Sequence, residues 1–231
     1  MMHESKRLDA LADNIANSSR PGYRRTVVSA KPFIGAMQDA IDKEHFEDGT
    51  QVDKIVKDFT PGNFRQTDRT LDFAIEGEGF FTVMKGNKPY YTRCGAFTLD
   101  PDGKLVTPDG YTVGGDITIP SNIRINNLTV GTDGTLYDGK TAIGTLEMVS
   151  FPDKQKLISA GPTLFMAPSN MAPETPAKDS RMLNKTLENS NTSMFAEMAD
   201  MITCMRNFES CQKMLMIQDT LEGQMISRFA M

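Results

Sequence analysis

Apolar residues recur with helical spacing near the start of the chain. Leu8, Leu11 and Ile15 follow one another at i, i+3 and i+7, which is the spacing of one face of an amphipathic helix. Polar residues occupy the opposite face in this pattern: Asp9, Asp13 and Asn14. The repeat predicts a helix of about two turns. Since an isolated helix of that length is marginal in water, it needs a partner surface.

The residues after this helix indicate a sharp turn. Asn17 follows the last apolar position, and Pro21 and Gly22 come soon after it. Proline cannot continue a helix, and glycine accepts the positive φ of a turn. We therefore predict that the helix ends near Asn17 and that the chain turns away from it at Pro21 and Gly22.

A longer helical pattern lies near the other end of the chain, from about residue 192 to residue 226. Residues 190–193 (Ser-Asn-Thr-Ser) are typical of a helix N-terminus. The helix would be about 50 Å long. Its apolar residues recur at steps of four and three, as in a coiled-coil seam, with two flanking residues that widen the stripe. The set is Met194, Phe195, Met198, Met201, Ile202, Met205, Phe208 and Leu215.

This Met-rich stripe has two interpretations that the pattern leaves open. It could be an ordinary core face that packs on the rest of the chain. It could also be a surface for contacts between subunits, because methionine adapts to irregular partners and is frequent at binding surfaces.

Between the two helices, residues 71–151 have the character of an antiparallel β domain. Leu71, Phe73 and Ile75 alternate with polar neighbours, and a second apolar run follows at 80–83. Turn signals then recur at short intervals, among them Asp100-Pro101-Asp102-Gly103, which we interpret as a hairpin turn. Many short strands joined by tight turns are typical of a barrel or a sandwich.

We therefore expect an α+β fold: a central antiparallel β-rich domain, barrel-like or sandwich-like, flanked by N- and C-terminal helices. Residues 1–25 and 188–231 would form a terminal helical domain. Residues 26–69 would connect it to a β-rich domain at 70–187, which includes a return connector rich in Pro, Ala and Ser.

Composition excludes several classes of protein. The net charge of −5 argues against a nucleic-acid partner, which usually meets a basic field. No apolar run approaches the roughly 18 residues that a membrane-spanning helix needs, so membrane insertion is not expected. The first residues lack the apolar stretch of a secretory signal peptide, which leaves export by a route without a cleaved signal open.

Candidate chemistry is sparse, and we do not expect an enzyme. The two histidines, His3 and His45, lie outside any catalytic or metal-binding motif, and Gly77-Glu78-Gly79 lacks the third glycine of a dinucleotide site. No catalytic, metal or cofactor site is predicted. Of the three cysteines, Cys204 and Cys211 are seven apart on one helix, which is too far for a disulfide, so we interpret them as packing residues.

Three stretches of the chain resemble the flagellar axial proteins, the family of rod and hook subunits. The start, RLDALADNIANSSRPGYRR, is similar to the family's N-terminal signature. The segments LDFAIEGEGFFTV and YTRCGAFTLDPDGKLVTPDGYTV resemble its β-domain signature. The tail NSNTSMFAEMADMITCMRNFESCQKMLMIQDTLEGQMI is similar to its C-terminal helix. The three motifs occur in the family's order and cover about half of the chain.

The resemblance is closest to the flagellar basal-body rod proteins. The span from Arg25 to Leu71 is shorter than expected for a distal rod subunit. The sequence also shows no sign of the large extra domain that would indicate a hook subunit. We therefore place the proximal rod protein first, with a distal rod or hook-type axial subunit as the alternative.

The resemblance implies a structural protein that polymerises into a helical drive shaft and transmits torque. It implies terminal helices that pair as a coiled coil on the inside of the shaft, with the β domain outside. The implied partners are further copies or other rod subunits, neighbouring rod and hook proteins, and the flagellar type III export apparatus. The implied location is the basal body, reached without a cleaved signal peptide. The assembly interface would comprise Leu8, Leu11 and Ile15 together with the Met-rich stripe.

Two points stay open in the sequence. The family's N-terminal helix usually begins about ten residues before the Arg7-Leu8-Asp9 motif, whereas six residues precede it here. Either the start lies upstream of Met1 or the inner helix is shortened. The second open point is the function. The alternative from a different class of protein is a monomeric β-domain binding module whose long helix closes its own core.

Overall fold

The computed structural model describes residues 2–29, 54–86, 88–115, 117–120, 123, 125, 128–168 and 180–229. Helix α1 spans Met2–Ala16 and helix α2 spans Met194–Phe229. The strands, in chain order, are β1 Thr26–Ser29, β2 Lys54–Lys57, β3 Phe64–Gln66, β4 Phe73–Glu76, β5 Phe80–Lys85, β6 Lys88–Thr92, β7 Thr98–Leu99, β8 Leu105–Val106, β9 Thr112–Val113, β10 Leu128–Val130, β11 Thr135–Asp138, β12 Thr141–Thr145, β13 Met148–Val149, β14 Ile158–Ser159, β15 Leu164–Met166, β16 Arg181–Asn184 and β17 Thr186–Glu188.

The chain is an α+β protein, as predicted: β-rich, with one helix towards each end. It divides into two compact units. The first, which we call the terminal unit, takes in the described residues of Met1–Ala16, Thr26–Asp58 and Ser193–Met231. The second, the β unit, takes in those of Asn17–Arg25 and Phe59–Thr192.

Helix α1 is longer than the two turns that the apolar repeat predicts. It has 15 residues, or about four turns, because it already begins at Met2. The sequence before Leu8 is polar, and it still contributes helix-compatible residues such as Glu4, Lys6 and Arg7.

Every strand pair described in the β unit is antiparallel. The largest sheet has eight strands in the order β14-β15-β6-β5-β9-β8-β7, with β13 also pairing with β5. A three-stranded sheet, β10-β11-β12, lies beside two strand pairs, β16-β4 and β17-β3. The last two pairs return the end of the unit to its beginning, since β17 lies along β3 in the register Glu188 to Phe64.

Strand β5 explains why this sheet is apolar on both faces. Phe81 and Val83 point into the main core, and Phe80 points into a second cluster made largely of aromatic rings. Successive side chains of a strand point to opposite faces, so a strand buried on both sides reads as a continuous apolar run. Phe81 and Phe97 meet edge to face at 5.2 Å in the main core.

Two sequence expectations for the β unit need correction. Ile117-Thr118-Ile119 is an alternating run that predicts a short strand, but in the structure Thr118 forms an isolated bridge with Lys104. The expected return connector, residues 160–178, contains strand β15, which pairs with β14 through Met166 and Ile158, whereas residues 169–179 lie outside the described residues. The hairpin turn at Asp100–Gly103 is confirmed: the Gly103 N–H donates to the Asp100 carbonyl at 2.8 Å.

Candidate assembly interface

Helix α1 buries a face that is not the one its apolar spacing suggests. Ala10 and Leu11 are buried, Leu8 and Ile15 are half-buried, and Asn14 is only 1% exposed. Asn14 was expected on the polar face. It lies three residues after Leu11, which puts it on the same side of a helix as Leu11, and its hydrogen bonds explain how a polar side chain can be buried there.

Hydrogen bonds to β1 and to α2 hold the Asn14 side chain. Its Nδ2 donates to the carbonyl of Thr26 at 2.9 Å and to Glu197 Oε2 at 3.0 Å. Its Oδ1 accepts from the Thr26 N–H at 2.8 Å. One amide therefore connects the end of α1, the start of β1 and the first turns of α2.

A second contact joins the two helices nearer the start of α1. The Cys204 thiol lies 3.0 Å from Glu4 Oε2 and 3.5 Å from the Glu4 carbonyl. Residue 14 therefore meets residue 197, and residue 4 meets residue 204, so the helices run in opposite directions. Burial, followed by the contact with the Glu4 carboxylate, raises the pKa of the Cys204 thiol to about 11.

A small apolar cavity remains between the helices at this end, with a volume of about 180 Å³. It is lined by residues of both helices: Glu4, Ser5, Leu8, Cys204, Met205, Phe208 and Glu209. Leu8, predicted as an interface residue, borders this cavity together with Phe208. The packing of α1 on α2 is thus incomplete near the N-terminal end of α1.

The Met-rich stripe of α2 is divided between two environments. Met201 and Phe208 are half-buried and lie on the same side as the buried Glu197 and Cys204. The remaining members are exposed to between 42% and 85%: Met194, Phe195, Met198, Ile202, Met205 and Leu215. At 3.6 residues per turn, the centre of the stripe lies about 60° around the helix from the side that meets α1.

The predicted turn after α1 belongs to the β unit. The Arg20 N–H donates to the Asn17 carbonyl at 3.0 Å, and Gly22 adopts a φ of 70°. The Gly22 N–H donates to the Glu188 carbonyl at 2.7 Å. A Cβ on Gly22 would lie 2.4 Å from the backbone of Arg93, so glycine is required there both by conformation and by space.

Sequence patterns did not reveal the buried ionic cluster around Glu188. Arg24 Nη2 lies 2.7 Å from Glu188 Oε1, and Arg93 Nη1 lies 3.4 Å from Glu188 Oε2, with all three side chains at most 6% exposed. The Gly62 N–H also donates to Oε1, at 3.0 Å. Burial, with the nearby charge of Arg24, lowers the pKa of Arg93 to about 10 although Glu188 opposes the shift. The three residues are far apart in sequence, so no local motif marks them.

Comparison with known proteins identifies what these units belong to. Residues 74–137 match the family model described as the flagellar hook protein FlgE/F/G D1 domain, and residues 183–228 match the flagellar basal body rod FlgEFG protein C-terminal model. The flagellar basal-body rod protein FlgF of Caulobacter vibrioides is 31% identical over 91% of this chain and 86% of its own length. The chain belongs to the flagellar basal-body rod protein family.

Rod proteins of two names match over most of this chain. FlgG of Bacillus subtilis is 28% identical over 98% of the chain and 95% of its own length. FlgF of Rhizobium meliloti is 30% identical over 89% of the chain and 84% of its own length. The expectation of a structural rod protein is confirmed, and its location is the flagellar basal body.

Both family matches begin in the β unit of this rod protein, and the second one extends into the terminal unit. The D1 match begins in β4 and ends in β11, within the β unit. The C-terminal match includes nearly all of α2. Among the described residues, no group of three or more acidic, histidine or cysteine side chains is arranged to hold a metal ion. Within the same residues, we find no helix with the length and apolar character that crossing a bilayer requires.

Proposed function

We propose that this rod subunit polymerises through its terminal unit into the shaft that transmits torque. The exposed apolar side of α2 carries the proposal. Phe195 is 85% exposed and Ile202 is 54% exposed, on the same side of a regular helix. Apolar side chains of this size are stabilised by burial, by roughly 1.5–3 kcal/mol each, so a side that exposes several of them gains from contact with another subunit.

The lengths of the two helices support the same conclusion. Helix α2 has 36 residues and α1 has 15, which correspond to about 54 Å and about 22 Å. Residues 209–221 of α2 are exposed around the whole helix, including Leu215 and Leu221. A helical stretch without tertiary contacts is held weakly, so we expect this part of α2 to gain stability in the assembled shaft.

The geometry of the interface follows from its position on the chain. The exposed side of α2 is not the side that α1 covers, so each subunit can keep its own helix pair and still present an apolar surface. A contact between different surfaces of identical or related subunits propagates into a helical filament when it does not close into a ring. In the proposed assembly, the terminal helices pair as a coiled coil, and the interface comprises Leu8, Leu11, Ile15 and the Met-rich stripe.

The partners are other subunits of the rod and the neighbouring rod and hook proteins. We further propose that the chain reaches the basal body through the flagellar type III export apparatus, without a cleaved signal peptide. The proximal part of the rod is our first assignment and the distal part our second, because the span from Arg25 to Leu71 is shorter than expected for a distal rod subunit.

The test replaces two exposed apolar residues of α2 by charged ones. Phe195→Glu and Ile202→Glu, combined, should abolish concentration-dependent polymerisation of the purified protein, measured by sedimentation and electron microscopy. The helix content by circular dichroism should stay that of the parent, since both side chains are exposed in the subunit.

The control is Asn207→Glu, which adds one negative charge, against two in the double variant, at an exposed position of α2. It lies about 140° around the helix from Ile202 and should polymerise like the parent. Polymerisation of the double variant at the parent's critical concentration would refute the proposed interface.

A further inference from the structure

Asn14, near the end of α1, and Glu197, in the first turn of α2, form a buried polar contact between the two helices. Each side chain is 1% exposed, and Asn14 Nδ2 donates to Glu197 Oε2 at 3.0 Å. Along α1, Leu11 precedes Asn14 on the buried face. Along α2, Cys204 follows Glu197 at a distance of one heptad. A polar contact in such a place contributes less stability than an apolar one would, which raises the question of what else it does.

The apolar residues alone do not define how α1 is aligned along α2. Methionines recur on α2 every heptad, as in Met194, Met201 and then Phe208, or Met198 and Met205. Methionine side chains are flexible and fill irregular gaps. If α1 slipped by seven residues, it would therefore meet a similar set of apolar side chains.

The polar contact does distinguish these alignments. A slip of seven residues along α2 would place Asn14 opposite Cys204 and leave Glu197 without the amide that donates to it. A buried carboxylate that loses a hydrogen-bond donor is strongly disfavoured. Single buried asparagines in coiled coils set the alignment of helices in this way.

We propose that Asn14 and Glu197 set the alignment of α1 along α2 and exclude slipped alignments on the same apolar stripe. The inference deepens the proposed function, on which it rests for its use: it names the residues that give every subunit the same terminal helix pair. A shaft built from identical contacts requires that uniformity, because a slipped helix would displace the exposed apolar side of α2 relative to α1.

The backbone of Thr26 adds a fixed reference to this alignment. Asn14 binds both the N–H and the carbonyl of Thr26, at 2.8 Å and 2.9 Å, much as a neighbouring strand would. Thr26 itself accepts a hydrogen bond from Lys57 Nζ on β2, at 2.7 Å. Asn14 is therefore held by the β1-β2 strand pair, and its amide also binds Glu197.

The chain provides its own reporters for the test. Cys204 lies beside Glu4, and Cys211 follows it by one heptad and is exposed. In a Glu4→Cys variant with Cys94→Ala, the new thiol can form a disulfide with Cys204 in the observed alignment, or with Cys211 after a slip of seven residues. Trypsin cleaves after Arg206, between the two cysteines, so mass spectrometry distinguishes the products.

The alignment is measured on dilute full-length protein after brief oxidation. In the Glu4→Cys parent, we expect the disulfide with Cys204 to exceed that with Cys211 by at least about tenfold, as expected for the loss of one buried hydrogen bond. Replacing both polar residues, Asn14→Leu with Glu197→Leu, should bring the two products within about threefold of each other. Because the pair is replaced by apolar residues, the helices should remain packed.

Glu197→Gln serves as the matched variant, since its side-chain oxygen can still accept from Asn14. It should keep the parent's ratio within about twofold. A parent ratio near one, or an unchanged ratio in the double leucine variant, would overturn the proposal. The ratio of the two disulfides is measured in the dilute subunit, so it does not depend on polymerisation. A wrong ratio would contradict the proposed alignment alone. Normal polymerisation of the Phe195→Glu and Ile202→Glu variant would contradict the proposed function alone.

Discussion

The two units of this rod protein differ in how far they bury phenylalanine side chains. In the β unit, Phe73, Phe81 and Phe97 are fully buried at 0% exposure and pack on one another. In the terminal unit, Phe195 is 85% exposed on α2. The β unit thus buries most of its large apolar side chains internally, whereas α2 of the terminal unit exposes several of them, and it is there that we propose contacts with other subunits.

Their buried polar groups differ as well. The β unit buries two guanidinium groups around the Glu188 carboxylate, and Arg93 also donates to the carbonyls of Ile75 and Gly77, at 3.0 Å and 2.7 Å. The terminal unit buries the hydrogen-bonded pair of Asn14 and Glu197. In both units a polar contact joins segments that are distant in sequence. The two units differ in the apolar packing around these polar contacts. Many buried apolar side chains surround the contact in the β unit, and few surround the contact in the terminal unit.

The sharpest test of this comparison exchanges a phenylalanine for alanine in each unit. Phe81→Ala should lower the free energy of unfolding of the β unit by about 3–5 kcal/mol, because it leaves a cavity in a packed core. Phe195→Ala should change the stability of the subunit by no more than about 0.5 kcal/mol. All five tyrosines belong to the β unit, so tyrosine fluorescence in urea reports that unit, and the far-ultraviolet circular dichroism of α1 and α2 reports the terminal unit. A comparable loss in both variants would mean that Phe195 is buried in the free subunit.

The ionic cluster gives the next largest effect. Glu188→Ala should destabilise the β unit by about 3 kcal/mol, because it leaves two buried guanidinium groups without their carboxylate. The loss should stay near the low end of the usual range, since Arg93 and Arg24 keep backbone carbonyl acceptors.

The control for that cluster is an ion pair on the surface of the same unit. Glu78 lies 2.6 Å from Lys154 Nζ and is 72% exposed, so Glu78→Ala should change stability by at most about 1 kcal/mol. Urea unfolding of both variants checks the prediction. Equal effects would show that burial does not decide the contribution of these charges.

Glycine positions refine the comparison within the β unit. Gly22 and Gly86 have similar positive φ values of 70° and 61°, and a Cβ would meet the Arg93 backbone at 2.4 Å only at Gly22, with nothing within 4 Å at Gly86. Gly86→Ala should therefore cost about 1 kcal/mol from backbone strain alone, and Gly22→Ala about 1–2 kcal/mol more. Thermal unfolding of the two variants measures the difference, and equal losses would argue against close packing at the turn.

The smallest expected effect concerns the chemistry of the thiols rather than stability. Cys204 has a pKa of about 11, against an ordinary value of 9.0, so at a given pH below 9 its thiolate fraction is about 100-fold smaller than that of an ordinary thiol. Iodoacetamide should alkylate the exposed Cys211 first and Cys204 last at pH 8. The rate at Cys204 should still be rising near pH 11. Early labelling of Cys204 would mean that α1 leaves α2 readily.

Some of this architecture could be predicted because it depends on residues that are close in sequence. The spacing of Leu8 and Leu11, the Pro21-Gly22 turn and the hairpin at Asp100–Gly103 each indicate their local structure directly. The family signatures are local in the same sense, and they led to the correct protein class.

The candidate interface was predictable only in part. The α2 stripe was found by its steps of four and three, but a second series with the same steps, Glu197, Met201, Cys204 and Phe208, is the one that α1 covers. The polarity of Glu197 conceals this second series from a hydrophobic pattern. Asn14, 183 residues away, donates a hydrogen bond to its carboxylate and so lowers the cost of burying it.

By itself, the sequence determined the class of protein, the existence of the two helices and the antiparallel character of the β unit. These follow from periodicity and turn chemistry, which act over a few residues. The tertiary structure alone decided which side of α2 is covered by α1, where Asn14 lies, and how Arg24, Arg93 and Glu188 share one buried site. The physical reason is that the cost of burying a polar group depends on partners that folding brings from distant positions in the chain.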